Sequence, residues 1–495
     1  MEAQEIIETN SASNIKQLPM ERLAPKIMFV YPPITVQERY SSSIGNSGGK
    51  QIPLGIYYLA SYMRSKGYEV MAIDAETENL DISDIIKIAA EFSPDFIGIS
   101  STTVAFHRAL DVAEGIKKCM QVTIILGGPH ITSNYSHAMS FPVFDYGVYG
   151  EGEITLYELC ESLLNKGDCL NDILGVIQRN EAGEVIKNEP RAFIDNLDEI
   201  PFPAYDLVPD INKYVPTAAA YRRTPVRSII TARGCPGQCT FCDRNVFGNR
   251  HRKRSAQNIF DEIMLIKDNY GFEEIAFGDD SFLIDKNRIY ELFSMLKNAG
   301  ISFQWTCLGR INDLNEELVK FIKRNGCWRI IFGIESGDES ILKIIKKYTT
   351  NEKVQRAISL CRKYGIKTGG FFIIGHPSET VESIEKTIEF ALSLPLDDIT
   401  VTINTPIPGS VQYDEALKYG TLDETDWSQY NYWRPVFVPH GLTQEILLEK
   451  QKEFYRRFYL RPRILFGFAL SLLGTGGIRR ILSLSKSAFY LFKKA

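Results

Sequence analysis

The feature that most narrows the fold is an alternation of short strand-like and longer helix-like runs, which occurs twice along the chain. In the first third, strands are predicted at Lys26–Tyr31, Glu69–Asp74, Phe96–Ser101, Val122–Leu126 and Asp145–Tyr149, each rich in Val, Ile or Phe. Apolar residues at helical spacing mark Leu54–Lys66, Ile82–Phe92, Phe106–Met120 and Glu153–Leu164. Strands linked through helices run parallel, so this part predicts a Rossmann-like, doubly wound sheet covered on both faces. The alternation returns with strands at Val226–Thr231, Glu274–Gly278, Phe303–Leu308, Trp328–Gly333, Thr368–Ile374 and Ile399–Asn404. Six such units predict a partial (βα)6 barrel. That is too few to close the eight-stranded form, and an incomplete barrel leaves a lateral opening. The expected fold is therefore α/β, with a helical segment at the C-terminal end.

Parallel sheets bind ligands at the C-terminal ends of their strands. Those ends are chemically marked in the first sheet. They carry the Ser/Gly-rich stretch Ser41–Gly49, then Ser100-Ser101-Thr102-Thr103, Gly127-Gly128-Pro129-His130 and Gly150-Glu151-Gly152-Glu153. Glycine lets backbone approach a ligand, and hydroxyls supply short hydrogen bonds. Turn chemistry explains any one of these, but four at one edge suggest a ligand crevice. His130 fits a loop hydrogen-bonding role, His107 a cap or packing role, and His137 carries no signal.

The second sheet opens on Cys235-Pro236-Gly237-Gln238-Cys239-Thr240-Phe241-Cys242, with cysteines at spacings of four and three directly after the first barrel strand. Three thiolates on one loop can hold an iron–sulfur cube. Such a cube ordinarily takes four cysteines, so one iron stays open to a substrate or cofactor. Structural zinc is the competing reading, and Asp243 and His251 complete a four-ligand set on spacing alone.

The octet resembles the cluster loop of the radical S-adenosylmethionine (SAM) enzymes, with Phe241 as the aromatic residue that typically precedes the third cysteine. The resemblance implies a four-iron four-sulfur cluster on Cys235, Cys239 and Cys242, with SAM chelating the open iron. One electron then cleaves SAM to methionine and a 5′-deoxyadenosyl radical. It implies further SAM contacts at other strand ends. Asp280, in Gly278-Asp279-Asp280-Ser281, lies where the amino group is held, although helix capping before Lys286 is the alternative. Arg310 suits the carboxylate. Glu335 and Ser336, in Gly333-Ile334-Glu335-Ser336-Gly337, match the ribose-binding segment. Gly370 and Gly375 flank the adenine-contacting strand that runs on to Glu379. His376 fits a turn role, and Cys307, Cys327 and Cys361 read as small buried hydrophobes.

The first third resembles a cobalamin-binding domain, and Ser101, Thr103, Gly127 and Gly128 match the positions that hold the nucleotide tail of cobalamin. It departs from many such domains in having no Asp-x-His-x-x-Gly stretch, so cobalt would lack a histidine ligand from this domain. Together the resemblances cover residues 26 to 411 and identify a cobalamin-binding radical SAM enzyme. They imply methylation of an unactivated carbon, or of phosphorus, with an electron donor such as flavodoxin or ferredoxin. Radical ring formation, oxidation or rearrangement without methyl transfer is the alternative, and a non-catalytic cobalamin or redox sensor is the second.

The expected domain order is a disordered tail at 1–25, the cobalamin-type domain with a hairpin extension at 26–190, a linker at 191–223, the barrel at 224–411 and a C-terminal segment at 412–495. The hairpin is predicted around Asn180-Glu181-Ala182-Gly183, and Pro201 and Pro203 stiffen the linker. Asp426–Pro439 is aromatic-rich and suits either a lid over the barrel or domain packing. Thr443–Leu460 predicts an amphipathic helix. Residues 461–495 hold seven Lys or Arg and no Asp or Glu. That pattern suits peripheral contact with an anionic membrane and a lipid-like substrate, or a helix docked on the protein itself.

The 495 residues carry a formal charge of −5, which argues against general nucleic-acid binding. No stretch reaches the length of a bilayer span. Nine mostly scattered cysteines imply a reducing compartment, the cytoplasm, and no disulfide framework.

Overall fold

The structure is a computed structural model that describes residues 24–44, 49–165, 170–217 and 220–465. Residues 1–23 of the predicted N-terminal tail, 45–48 of the Ser/Gly-rich loop and 466–495 of the basic C-terminus lie outside the described residues.

The first sheet contains β1 (Lys26–Tyr31), β2 (Glu69–Asp74), β3 (Phe96–Ser100), β4 (Thr123–Gly127), β5 (Tyr146–Val148), β6 (Val176–Arg179) and β7 (Val185–Lys187). Its order is β2-β1-β3-β4-β5-β6-β7. The first five strands are parallel, and the β6–β7 hairpin continues the sheet antiparallel from β5. The strand order reverses between β1 and β3, and such a switch point opens a crevice at the C-terminal strand ends. The strands are buried on both faces, as the near-continuous apolar runs Ile27–Val30 and Ile97–Ile99 require.

The second sheet begins with β8 (Val226–Ile229). The short pair β9 (Ala232–Arg233) and β10 (Arg252–Lys253) brackets the cysteine loop. Then come β11 (Glu274–Phe277), β12 (Gln304–Gly309), β13 (Cys327–Glu335), β14 (Lys367–Ile374) and β15 (Asp398–Ile403). The six long strands are parallel in the order β15-β14-β13-β12-β11-β8. A small antiparallel pair, β16 (Gly420–Leu422) and β17 (Phe437–Pro439), follows.

The barrel stops at β15 because a helix, not a seventh strand, covers its edge. Helix Gln444–Tyr459 lays three polar side chains along that edge. Tyr455 Oη accepts from Val401 N at 2.8 Å and donates to Val401 O at 3.1 Å. Tyr459 Oη accepts from Ile399 N at 3.3 Å and donates to Ile399 O at 3.0 Å, and Gln451 Nε2 donates to Val401 O at 2.9 Å. These bonds satisfy backbone groups that an open edge would leave bare.

The linker lies between the two sheets. Leu197, Ile200, Tyr205, Val208 and Ile211 join one continuous core that reaches helix Leu54–Ser65 of the first half and helix Ala256–Tyr270 of the second. Tyr205 Oη donates to Glu262 at 2.8 Å, and Ala204 N donates to Tyr57 O at 3.0 Å. Among the described residues, no helix is long and apolar enough to cross a membrane.

Candidate functional site

The cysteine loop leaves β9 at the C-terminal mouth of the barrel. Cys235 and Cys239 are half-buried, and Cys242 is open to solvent although protein surrounds it on most sides, as on the wall of a recess. A Cβ on Gly237 would stand 3.4 Å from Cys235 Sγ and 3.9 Å from Cys239 Sγ, so this position lies against both thiols. Burial, and then the charges of Cys239 and Glu335, push the Cys242 thiol up to about 12. Such thiols need a strong cation to become ligands.

The loop is tied down on several sides. Thr240 N donates to Ile345 O at 3.1 Å, and Phe241 packs on Ile341, Leu342 and Ile345. Gln412 N donates to Thr240 O at 2.9 Å. Ser133 of the first half donates its hydroxyl to Asp243, and a Cβ on Gly409 would collide with Asp243, Asn245 and Ser133. Asp243 is thus spent on holding the loop. Among the described residues, no three His, Cys, Asp or Glu side chains converge as a single-ion site.

The barrel interior is hollow at the level of this loop. The residues of β13, β14 and β15 that alternate with the buried ones remain accessible, among them Ile331, Gly333, Ile373, Thr400 and Thr402. Phe371 is 36% exposed in mid-strand. A barrel packed with its own side chains would bury these positions.

Glu335 is held at the mouth in an uncommon backbone state, with φ 69°, beside a register shift between Gly333 and Glu335. A left-handed non-glycine residue costs about 1–3 kcal/mol and persists only where its surroundings hold it. Its Oε1 accepts from Lys347 Nζ at 2.8 Å, and a Cβ on Gly333 would lie 2.3 Å from that oxygen. Burial opposes the Lys347 charge, but Glu335 and then Cys239 hold its pKa above the ordinary value. Lys347 and Arg310 both favour the Cys239 thiolate, against burial. Arg310 forms no ion pair among the described residues. The sequence reading missed Lys347, because no spacing rule links it to Glu335.

The paired carboxylates of β11 divide their work. Asp279 is buried, and Thr231 N, Thr231 Oγ1 and Ala232 N donate to it. It anchors the strand that feeds the cysteine loop. Asp280 is exposed at the mouth, and burial by its surroundings lifts its carboxyl. Asp285, not Asp280, caps helix Lys286–Asn298.

Three predicted contacts face elsewhere. Ser336 is fully buried toward the outer helices, where it shares a hydrogen bond with Thr387 Oγ1 at 3.0 Å and accepts from Asp338 N at 3.1 Å. A Cβ on Gly370 would meet Phe372, Leu396 and Ile334, also in the outer layer. Gly375, with φ 85°, forms the turn in which its N donates to Glu379. His376 is buried beside Phe241, with ring centroids 5.8 Å apart.

In the first half, Gly127 and Gly150 leave open space at the ends of β4 and β5. Gly150 has no heavy atom within 4 Å of a would-be Cβ. The hydroxyls of the Ser100–Thr103 stretch border the same edge, and this set fits the polar tail of a large cofactor. The fit is partial. The Ser101 hydroxyl donates to Thr102 O at 2.8 Å, and Gly128, with φ 96°, is filled by Ser101 backbone. Thr103 Oγ1 meets His130 Nδ1 at 3.2 Å, and His130 Nε2 meets His137 Nδ1 at 3.1 Å. His107 bonds Glu38 at 3.0 Å.

The Gly150–Glu153 stretch corrects one expectation. Glu151 and Glu153 are buried against Arg233 and Arg252 of the barrel, so they join the two halves instead of facing a ligand. The aromatic segment spans both halves too. Trp427 packs on His130 and His137, Asn431 Nδ2 donates to Glu38 O at 3.3 Å, and Tyr432 O accepts from Ile403 N at 2.9 Å. Tyr432, with φ 66° and 44% exposed, borders the same recess as Cys242.

The family model described as the radical SAM superfamily matches residues 229–391, and that of the B12 binding domain matches residues 41–160. An uncharacterized methyltransferase of Pyrococcus horikoshii is 38% identical over 443 residues, covering 89% of this chain and 94% of the relative. Cytidylyl-2-hydroxyethylphosphonate methyltransferase of Streptomyces wedmorensis is 30% identical over 83% of this chain and 86% of its own length. The solved radical SAM methyltransferase TsrM from Kitasatospora setae, with cobalamin and a four-iron four-sulfur cluster bound, superposes with a TM-score of 0.65. It is 17% identical over 89% of this chain and 82% of its own, and it shares the fold.

Proposed function

The chain belongs to the cobalamin-binding radical SAM family, and on that premise we propose that it methylates an unactivated carbon, or phosphorus, of a small-molecule or lipid-like substrate. Its cofactors are a four-iron four-sulfur cluster, SAM and cobalamin. When bound, they supply a substrate-activating carbon radical and a transferable methyl group. The observation that carries the reading is the three-cysteine loop facing a hollow barrel mouth, with the cobalamin-type edge tied to it through Ser133 and Asp243.

We assign Cys235, Cys239 and Cys242 to three irons. Lys347 and Arg310 place positive charge beside these anionic ligands, and Arg310 is free to pair with the SAM carboxylate. Glu335 accepts the ribose hydroxyls through the oxygen that Lys347 leaves uncommitted. Asp280 takes the amino group. Gly370, Gly375 and Ser336 shape the strand and turn behind the cofactor. Ser101, Thr103, Gly127 and Gly128 border the cobalamin tail, with Gly150 added from its open surroundings. The aromatic segment excludes water from the mouth. The domain limits we propose are 26–190, 191–223, 224–411 and 412–495.

The test is anaerobic reconstitution, with iron, sulfide and cobalamin measured on the isolated chain. Methyl transfer yields S-adenosylhomocysteine beside 5′-deoxyadenosine, whereas ring formation or rearrangement yields no S-adenosylhomocysteine. A chain that binds one zinc ion and no iron or sulfide defeats the proposal. We also propose a cytoplasmic location with membrane-surface contact through 461–495, and a truncated protein that still partitions with anionic liposomes defeats that contact.

A further inference from the structure

The cluster-loop surface carries a local charge opposite to that of the whole chain. Pro236 and Gln238 are exposed on the loop itself. Beside them lies helix Glu339–Ile344 with the turn that follows it. Lys343 and Lys346 are exposed there and form no ion pair among the described residues. Two large apolar side chains, Ile344 at 39% and Tyr348 at 62% exposure, stand among them. Arg244 adds charge by donating to Gly237 O at 2.5 Å, inside the loop. The one exposed carboxylate of this helix, Glu339, accepts from Asn351 N at 3.1 Å.

The patch is mechanically continuous with the metal-ligand loop. Ile345 O accepts from Thr240 N, Tyr348 Oη donates to Gln238 Oε1 at 3.4 Å, and Asn312 Nδ2 pins Tyr348 O at 2.9 Å. The turn holds Lys346 and Tyr348 at φ 52° and 39°, so both side chains are presented by a fixed backbone. Exposed apolar groups ringed by cations form a docking centre with a steering rim. On a chain whose net charge is −5, a local cluster of cations favours the approach of an acidic protein to this face.

We propose that Lys343, Ile344, Lys346 and Tyr348 form the docking face for a small acidic electron-transfer protein that reduces the cluster. The proposal rests on the cluster reading above. The step moves one electron: a donor flavin hydroquinone is oxidised to its semiquinone, and the cluster is reduced by one unit of charge. No bond forms or breaks in the chain.

The experiment follows cluster bleaching by stopped flow and the reduced cluster by electron paramagnetic resonance. It uses the full-length reconstituted chain with flavodoxin hydroquinone, and separately with dithionite. The double variant Lys343→Glu/Lys346→Glu is expected to slow the bimolecular flavodoxin step about tenfold or more at low salt and to flatten its salt dependence. Reduction by dithionite is expected to stay unchanged. The distant exposed pair Lys87→Glu/Lys297→Glu makes the same change in net charge, and it should alter the flavodoxin rate by no more than about twofold, as a steering effect local to the patch requires. Equal rates and salt slopes for the parent and Lys343→Glu/Lys346→Glu, in chains that dithionite reduces, overturn the docking face alone. So does a parent homodimer that this variant dissociates, since the face would then be covered by a second copy. A parent chain that binds no iron or sulfide overturns the cluster reading and the docking face together.

Discussion

Arg233, two residues before Cys235, donates from Nη1 to Glu151 Oε1 at 2.8 Å and from Nη2 to Glu153 Oε1 at 2.6 Å, across the junction of the two sheets. Arg252 adds a second guanidinium on Glu151 at 2.8 Å, and Ile194 N donates to the same carboxylate at 2.8 Å. All four charged side chains are nearly inaccessible. The cobalamin-type edge and the cysteine loop are therefore set against each other by fully paired buried charge.

Removing one member of such a network leaves its partner charged and unsolvated. Glu151→Ala is expected to destabilise the protein by about 3–5 kcal/mol. Denaturant unfolding checks this, and a cost below ~1 kcal/mol would show that the junction does not depend on the pair.

Gly333→Ala should weaken SAM binding. The added Cβ collides with Glu335 Oε1 and sits 2.8 Å from Lys347 Nζ, so both side-chain ends must shift from their present positions. Equilibrium dialysis with SAM is expected to show a loss of about tenfold or more, and Lys347→Met a smaller one. Unchanged affinity in Gly333→Ala would remove Glu335 from the SAM contacts.

The double change Tyr455→Phe/Tyr459→Phe strips four hydrogen bonds from the edge of β15. An unsatisfied buried backbone group costs about 1–3 kcal/mol. Lower thermal stability and concentration-dependent aggregation are expected, because a bare edge strand pairs with other chains. Light scattering during a thermal ramp reads both.

His130 gives the stability profile an acid limb. Burial, and then its neighbour His137, push its pKa down to about 3. Its folded value lies below its unfolded one, so the unfolded chain binds the extra proton between about 6.5 and 3. Stability is whole above pH 6.5 and is lost as pH falls through that window, at up to about 1.4 kcal/mol per pH unit. His130→Gln should flatten this limb in denaturation measured from pH 7 to 4. An unchanged slope would assign the acid sensitivity elsewhere.

Glu379 acts on the other side. Burial lifts its carboxyl to about 8 despite hydrogen bonds from His376 N and Gly375 N. The folded chain keeps a proton that the unfolded chain releases near pH 4.5, so stability declines as pH rises from 4.5 through 8. Glu379→Gln keeps the shape without the charge and is expected to be the more stable protein at pH 8.5.

Local rules decided much of this protein before it folded. Alternating apolar runs of strand and helix length placed eleven parallel strands within one or two residues of their observed ends, because a two-faced buried strand has few sequence solutions. The cysteine loop was equally legible as a motif, since its three thiols are close in the chain. Relationships between distant residues were not. Lys347 meets Glu335 from twelve residues away, beyond an intervening helix, and Asp279 differs from its neighbour Asp280 in that Thr231 and Ala232 fold onto it as donors. The acidic pair at the end of β5 resembled a ligand edge until the tertiary fold brought two arginines onto it. Periodicity reports which face of an element is buried. It does not report what is packed against that face, and the choice of partner across the junction belongs to the tertiary structure.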